Sequence, residues 1–338
     1  MDIKGLIFCV PPKVTARIIA AIVAVAFVIA GIKISYAIKD NESKEELPAD
    51  DSGNVSTDNK EQGKETEKPQ YELDFEGAAS VGSVINGRSA ALVDIGSSKI
   101  IAEKNLLGSI PLRDASVFMA ALTVSKAISE GRVALGEEAV CPASAARSPN
   151  YSLSEQVLSI GKRMKVGEIL RCMLYQSGSS YAYTLAVHIS GSEEGFVKEM
   201  NDYAAQLSLK ETLFVNCTGD DDSRGTVSAY DFAIILKRVF EDPLLKEILC
   251  GNDMLSVTQG QSGSVELVVK NDFFEKYCTE SQAKNDGITG GKVSSVNYYE
   301  WAAVYFSSGE KEYIALILES KAAFPDALML YSAYAICT

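Results

Sequence analysis

The sequence predicts an α+β fold, an antiparallel sheet flanked by helices, as a single domain over residues 77–338. Strand-like patterns occur at both ends of this region, and helical patterns occupy its middle. This order indicates one sheet that is closed by the two ends of the domain. No repeat with a period of 20–50 residues is present, which argues against a solenoid or a propeller.

An apolar stretch over residues 18–38 precedes the domain. Residues 18–32 carry no charge, and 21 helical residues span about 30 Å, the thickness of a hydrocarbon core. Basic residues before the stretch predict a cytoplasmic N-terminus over 1–17 and a transmembrane signal-anchor over 18–38. The alternative is a signal peptide cleaved after the Ser-Tyr-Ala sequence at 35–37. Both alternatives place the folded domain on the extracytoplasmic side, and the first makes it a single-pass protein of the cell membrane.

Residues 39–76 connect the apolar stretch to the domain. Within them, residues 39–72 hold 11 acidic and 5 basic side chains and almost no large apolar ones. Such a segment buries too little apolar surface to offset its ordering entropy, so it is predicted to be a disordered acidic tether. The net charge of the chain, −13, argues against a nucleic-acid partner, because phosphate binding needs a basic surface.

The elements of the domain follow from hydrophobic periodicity and turn residues. Alternating segments at 90–95 and 99–103, joined by Gly96-Ser-Ser, predict a hairpin. Helical patterns cover about 114–130, 166–176, 179–190, 193–207, 228–240 and 243–249. Strand patterns return at 265–269, 298–306 and 313–318, and a last helix is predicted at 322–336.

Histidine and cysteine usage limits the chemistry of the domain. The single histidine, His188, excludes a His-rich metal site, and the seven cysteines show no zinc spacing. Neither a metal nor a cofactor is therefore expected. Six cysteines follow the apolar stretch and allow either three disulfides or buried free thiols: Cys141, Cys172, Cys217, Cys250, Cys278 and Cys337.

Several short motifs follow one another between about residue 88 and residue 320. They are Ala91-Leu-Val-Asp94, Ala102-Glu-Lys-Asn105, Met119-Ala-Ala-Leu122, Lys165-Val-Gly-Glu168, Leu174-Tyr-Gln-Ser-Gly178, Leu185-Ala-Val-His-Ile-Ser-Gly-Ser192, Asn216-Cys-Thr-Gly219, Ser228-Ala-Tyr-Asp231, Phe240-Glu-Asp-Pro243 and Asp286-Gly-Ile288. In this order the chain resembles the low-molecular-mass penicillin-binding proteins, which are serine D-alanyl-D-alanine carboxypeptidases. The resemblance implies a β-lactamase/transpeptidase-like fold and a site built from three clusters.

The first cluster of the family is a nucleophilic serine that opens a helix, with a lysine three residues later that takes its proton. Matched without gaps through residues 119–122, the nucleophile position is Asp114 and the base position is Val117. A shift of two residues brings Ser116 to the nucleophile position. That shift puts Met119 at the base position and breaks the agreement at 119–122. Asp114 is therefore the preferred match, and no lysine follows in either register.

The second and third clusters are also altered. Ser177 keeps the family's second serine, although a serine there is also a common helix N-cap, and Ser179 replaces the family's asparagine. In the third cluster the family has Lys-Thr-Gly, which binds the substrate carboxylate and helps to form the oxyanion hole. Thr289, Gly290 and Gly291 stand at these positions, so only the glycine is kept.

Lys292 lies three residues beyond the position of the family's lysine. Successive side chains of a strand point to opposite faces. The odd offset therefore predicts that Lys292 points away from the site unless a β-bulge intervenes.

Losses in all three clusters predict a membrane-anchored, carboxypeptidase-like protein of the cell envelope that is catalytically inactive. Its expected partner is a peptidoglycan stem peptide or an envelope protein. The alternative is an active serine carboxypeptidase that trims stem peptides with Ser116 or Ser177 in a rearranged site. A third hypothesis is a structural role in which the anchor and the tether matter more than the cleft.

Overall fold

The computed structural model describes residues 72–148, 158–176, 178–252, 255–259, 265–279, 283, 286–296 and 298–335. The predicted cytoplasmic segment, the anchor and most of the tether lie outside the described residues. Within the part of the chain that is described, no helix is both long and apolar enough to cross a bilayer.

A six-stranded sheet forms the centre of the domain, in the order β1-β3-β2-β12-β11-β10. Its strands are β1 (Ala79–Ser80), β2 (Ser89–Asp94), β3 (Lys99–Lys104), β10 (Ile288–Val296), β11 (Tyr299–Ser308) and β12 (Lys311–Ser320). All pairs are antiparallel except the short β1, which runs parallel to β3. Strands from the two ends of the domain therefore meet at β2 and β12, as predicted from the order of elements.

Seven α-helices are described: α1 (Asp114–Ser129), α2 (Val166–Gln176), α3 (Ser179–Ser190), α4 (Glu193–Gln206), α5 (Ala229–Glu241), α6 (Pro243–Cys250) and α7 (Ala323–Tyr334). The buried side of α5 packs on β2 and β12, and α1 packs on α5. The terminal α7 covers the opposite face of the sheet. The α+β class with a helix-flanked sheet is therefore confirmed.

Local capping residues fix several helix boundaries. Ser192 and Ser228 accept hydrogen bonds from the first turns of α4 and α5, and Asp242 caps α6 with Pro243 at its first position. Gly191 ends α3 in the left-handed region, at φ +76°. Each cap satisfies backbone groups that have no partner within the helix.

Among the described residues, three two-stranded ladders lie outside the main sheet. They pair β4 (Ser109–Pro111) with β7 (Thr226–Ser228), β5 (Glu138–Val140) with β6 (Arg163–Lys165), and β8 (Leu255–Gln259) with β9 (Val265–Val269). The predicted strand at 265–269 is thus present, but it belongs to a separate hairpin. Its partner β8 was not predicted.

Residues 72–74, which the composition assigns to the tether, contact the folded domain. Leu73 is fully buried, and its N–H donates to the Tyr230 hydroxyl at 3.0 Å. Asp74 forms a β-bridge with Lys99. The sequence does not predict this contact. The residues around Leu73 are acidic, and its partner Tyr230 is far away in the sequence.

Five of the six cysteines that follow the apolar stretch lie among the described residues, and none of these five forms a disulfide. Cys141, Cys172, Cys217, Cys250 and Cys278 are free thiols, whereas Cys337 lies outside the described residues. Burial raises the pKa of the Cys172 thiol to about 12 and that of Cys250 to about 11. An unfolded chain has thiols with a pKa of about 8.5.

We expect the stability of the protein to fall as the pH rises above about 8.5, because the unfolded thiols then ionise while the folded ones stay neutral. The loss approaches about 1.4 kcal/mol per pH unit for each fully buried thiol until its folded pKa is reached. Urea unfolding midpoints at pH 8, 9 and 10 measure this slope. The Cys172→Ala variant should show a shallower slope, and a wild-type stability that does not change over this range would contradict the prediction.

Candidate functional site

A polar cleft of about 720 Å³ lies where the start of α1, the start of α3 and the end of β10 meet. The loop at 218–221 and the segment at 272–277 line its other sides. The cleft therefore brings together residues from sequence positions nearly 180 apart.

Asp114 is the first residue of α1 and lines this cleft. Its side chain is largely buried, and Oδ2 accepts a hydrogen bond from the Ser294 hydroxyl. A carboxylate is favourable at this place, because the N-terminus of a helix carries a partial positive charge. Val117, one turn later, also lines the cleft, so an apolar side chain stands where a base would be needed.

Ser116 is not placed to act as a nucleophile. The residue is 0% exposed, and its Oγ has no hydrogen-bond partner among the described residues. It does not line the cleft. Of the two residues that the alternative matches put at the nucleophile position, only Asp114 lines the cleft.

The turn before Asp114 is held in an unusual conformation. Arg113 caps α1 with φ +42° and ψ −129°, a region that L-residues rarely adopt. Its guanidinium binds Asp221 at 2.7 Å, and Gly219, at φ +78°, lies directly against its carbonyl oxygen. The surrounding loop therefore fixes the direction in which Asp114 enters the cleft.

The second cluster is described only in part. Ser177 lies outside the described residues, and the N-cap position of α3 is Gly178. Ser179 is buried, lines the cleft and donates to Asp220 Oδ1 at 3.5 Å. Ser148 donates to the other oxygen of Asp220. Asp220 therefore joins three separate segments beside the cleft.

The third cluster does not lie where the sequence match places it. Thr289 is exposed and its hydroxyl donates to Tyr305 O, Gly290 packs against α6, and Gly291 packs against Phe273. None of the three lines the cleft, which instead contacts β10 from Lys292 to Ser295. Thr289, Gly290 and Gly291 are thus not brought together with Asp114.

A β-bulge explains this displacement. Ile288 pairs with Phe306, but Gly290 pairs with the adjacent Tyr305, so Thr289 is an extra residue in β10. The bulge reverses the alternation of faces beyond it. Lys292 therefore points to the helical side and lines the cleft, which is the outcome that the sequence analysis tied to a β-bulge.

Lys292 is 5% exposed, and its ammonium donates to the Leu174 carbonyl oxygen at 2.8 Å. Burial lowers the pKa of Lys292, while the carboxylates of Asp114 and Asp272 oppose that shift by their negative charge. Asp272 itself receives a hydrogen bond from Lys276 at 2.6 Å.

Sequence reasoning missed Ser294, Asp220 and Asp272 as members of this site. The Gly290-Gly291 pair was the available signal, because glycine inside a strand often marks a bulge. His188 lies outside the cleft and contacts Glu137 at 3.0 Å. No group of three or more metal-ligating side chains occurs in the described part of the chain.

Comparisons with known proteins agree with the resemblance seen in the motifs. The family model described as D-alanyl-D-alanine carboxypeptidase matches residues 76–292. A similar curated protein is D-alanyl-D-alanine carboxypeptidase DacF of Bacillus subtilis, 32% identical over 154 residues, which is 46% of this chain and 39% of DacF. DacC of Escherichia coli is 27% identical over 161 residues, 47% of this chain and 40% of DacC. The chain thus spans about two-fifths of these relatives.

Solved structures resemble the fold. Penicillin binding protein 6B from Escherichia coli superposes with a TM-score of 0.61 at 21% identity, covering 73% of this chain and 77% of that protein. A D-alanyl-D-alanine carboxypeptidase from Mycobacterium tuberculosis H37Rv gives a TM-score of 0.60 at 18% identity, covering 73% and 90%. At these identities the similarity shows the fold alone.

Proposed function

Because this chain belongs to the D-alanyl-D-alanine carboxypeptidase family, we propose that it is a catalytically inactive member that binds a ligand in its cleft without acylation. The observation that carries the proposal is Asp114 at the opening of α1, held by Ser294, with Val117 one turn later. A carboxylate held in this way is a poor nucleophile, and valine accepts no proton.

The expected loss of rate and the repulsion of substrate by Asp114 both support catalytic inactivity. Loss of the nucleophile or base of a concerted site typically costs about 10⁴- to 10⁶-fold in rate. The Asp114 carboxylate would also repel the terminal carboxylate of a D-Ala-D-Ala peptide. Two like charges about 4 Å apart at an effective dielectric constant near 20 cost on the order of 4 kcal/mol.

We also propose where the protein is located and which type of partner it binds. The protein is held in the cell membrane by residues 18–38, with the domain on the extracytoplasmic side, and the cleft takes a cell-wall peptide or a segment of an envelope protein. Cell fractionation checks the anchor: deletion of 18–38 should remove the protein from the membrane fraction, and a deletion variant that stays in that fraction would contradict it.

The experiment that tests inactivity is covalent labelling with a fluorescent penicillin, followed by intact mass measurement. We expect no adduct on the purified protein under conditions that fully label penicillin binding protein 6B of Escherichia coli as the positive control. Release of D-alanine from a pentapeptide should stay at background. A stable adduct on any serine of this chain would overturn the proposal.

A second candidate, an active carboxypeptidase that uses Ser177, has one observation in its favour. Lys292 lines the cleft and bonds to Leu174 O, three residues before Ser177 in the sequence. D-Alanine release that is abolished by both Ser177→Ala and Lys292→Met would establish this candidate. If the wild-type protein releases no D-alanine, this second candidate is ruled out.

A further inference from the structure

A second cavity, of about 290 Å³, lies beside the start of α5. Its walls come from the first described residue, the turn between β3 and β4, the loop after α4 and the first two turns of α5. Among the described residues, it shares no lining side chain with the cleft that contains Asp114. Its volume is close to the lower end of the usual range for ligand pockets, about 300–1,000 Å³. The cavity is therefore separate from the cleft and large enough for a side chain or a small ligand.

The cavity has an apolar floor and an exposed apolar lip. Leu207, Tyr230 and Ile234 are buried and form the floor. Leu107 forms the lip, and it is 53% exposed. Apolar surface that is open to water beside a cavity favours a partner that covers it, because the burial of apolar area releases free energy. An apolar group of a partner would therefore be stabilised at Leu107.

The charged groups around this floor are mainly acidic. Glu72, Glu211 and Asp231 line the cavity, together with one lysine, Lys210. Glu72 already has a cation, because Arg238 binds it at 2.7 Å. No lysine or arginine of the described chain forms an ion pair with Glu211 or Asp231. The cavity therefore complements a positive charge.

Asp231 carries the most deeply buried of these carboxylates. The residue is 2% exposed, and its Oδ2 accepts hydrogen bonds from Glu211 N and Thr212 Oγ1, each at 2.8 Å. Both donors are neutral. A buried carboxylate is costly unless hydrogen bonds or an opposite charge compensate for its lost hydration. A cation that enters the cavity would supply the opposite charge.

We propose that this cavity binds a basic side chain of a partner protein, an arginine or a lysine that stands next to an apolar residue in the partner. The cation lies against Asp231 and Glu211, and the apolar neighbour covers Leu107. The net charge of the chain, −13, also favours a basic partner. The site goes beyond the proposed function, because it is separate from the cleft and does not depend on whether the cleft reacts with penicillin.

The competing interpretation is that Asp231 only fixes the loop after α4 to the start of α5. Asp231 lies in the first turn of α5, where the partial positive charge of the helix end favours a carboxylate. Its N–H donates to Ser228 Oγ at 3.0 Å, as in a capped helix. In that case the cavity is a gap between packed elements, and it has no preference for a cation.

The test uses the full chain in detergent micelles and measures binding of the probe N-acetyl-Leu-Arg-amide by ligand-observed NMR titration. The matched neutral probe is N-acetyl-Leu-citrulline-amide, which has nearly the same shape. We expect the arginine probe to bind at least about 10-fold more tightly, because hydrogen bonds between two charged groups are about twice as strong as those between neutral ones. Equal affinities for the two probes would overturn the inference.

Variants of the cavity localise the binding. Glu211→Gln and Leu107→Ala should each weaken binding of the arginine probe about 3-fold or more. Glu247→Gln and Leu135→Ala are the matched controls, because both residues are exposed and lie outside the cavity. Asp231→Asn, if it folds, should remove the preference for arginine over citrulline. Losses in the two controls as large as those in the cavity variants would contradict the assignment.

The chain itself offers one other occupant. Tyr71 directly precedes Glu72 in the sequence and lies outside the described residues. If the arginine probe binds Tyr71→Ala but not the wild type, the preceding part of the chain competes for the cavity and the inference of a separate partner is overturned. A wild-type protein that binds neither probe would overturn it as well.

Discussion

Replacement of Asp326 by alanine is expected to lower the free energy of unfolding by about 3–5 kcal/mol, since each buried donor that loses its acceptor costs about 1–3 kcal/mol. Asp326 lies in the first turn of α7 and is 2% exposed. Its carboxylate accepts hydrogen bonds from Asn86 N at 2.9 Å, Gly87 N at 3.0 Å and Ser320 Oγ at 2.6 Å. It thereby joins α7 to the segment that leads into β2 and to the end of β12.

The measurement is urea unfolding of the purified protein, with Asp202→Ala as the matched control. Asp202 also accepts a hydrogen bond, from Lys198, but it lies on the surface. Removal of an exposed pair of this kind typically costs about 0–1 kcal/mol. Equal losses in the two variants would show that Asp326 does not tie α7 to the sheet.

Replacement of Gly219 by alanine is expected to cost about 3 kcal/mol or more, because a Cβ atom there meets backbone that cannot yield freely. That Cβ would lie 2.5 Å from Arg113 O and 2.9 Å from Arg113 C. Arg113 directly precedes Asp114, so the clash acts on the start of α1. The substitution should therefore also weaken the contact between Asp114 and Ser294.

Gly191→Ala is the matched control for this second prediction. Gly191 has nearly the same φ angle, +76°, but a Cβ there meets nothing within 4 Å. It isolates the cost of a left-handed alanine, about 1–2 kcal/mol. Urea midpoints compare the two variants, and a Gly219→Ala loss no greater than that of Gly191→Ala would contradict a role for the close approach to Arg113.

The helices were predictable because their signals are local. Residues 166–176 and 179–190 are helical as predicted, since the breaks around Gly178 and Gly191 coincide with helix ends. Two late strands, β11 and β12, were also predicted, and their ends differ from the predicted ones by one or two residues, whereas β10 was not among the predicted strand segments. The periodicity and turn residues that mark these elements lie within the elements themselves, although their stability comes from packing.

The site was less predictable because it depends on pairing between strands. The sequence match identified Asp114 and Val117, which do line the cleft. It could not decide the face of Lys292, because the face is set by the register of β10 against β11. The residues of β10 do not by themselves determine that Gly290 pairs with Tyr305. The extra residue at Thr289 can therefore be identified only from the pairing of β10 with β11.

The bulge at Thr289 makes this strand unequally sensitive to insertions and deletions. A codon gained or lost at Thr289 changes only the size of the bulge, and the pairs from Gly290 onward keep their faces. A codon gained or lost between Gly290 and Lys292 reverses every face beyond it, which would remove Lys292 and Ser294 from the cleft together. A change in chain length here would therefore alter the lining of the cleft as strongly as a substitution does.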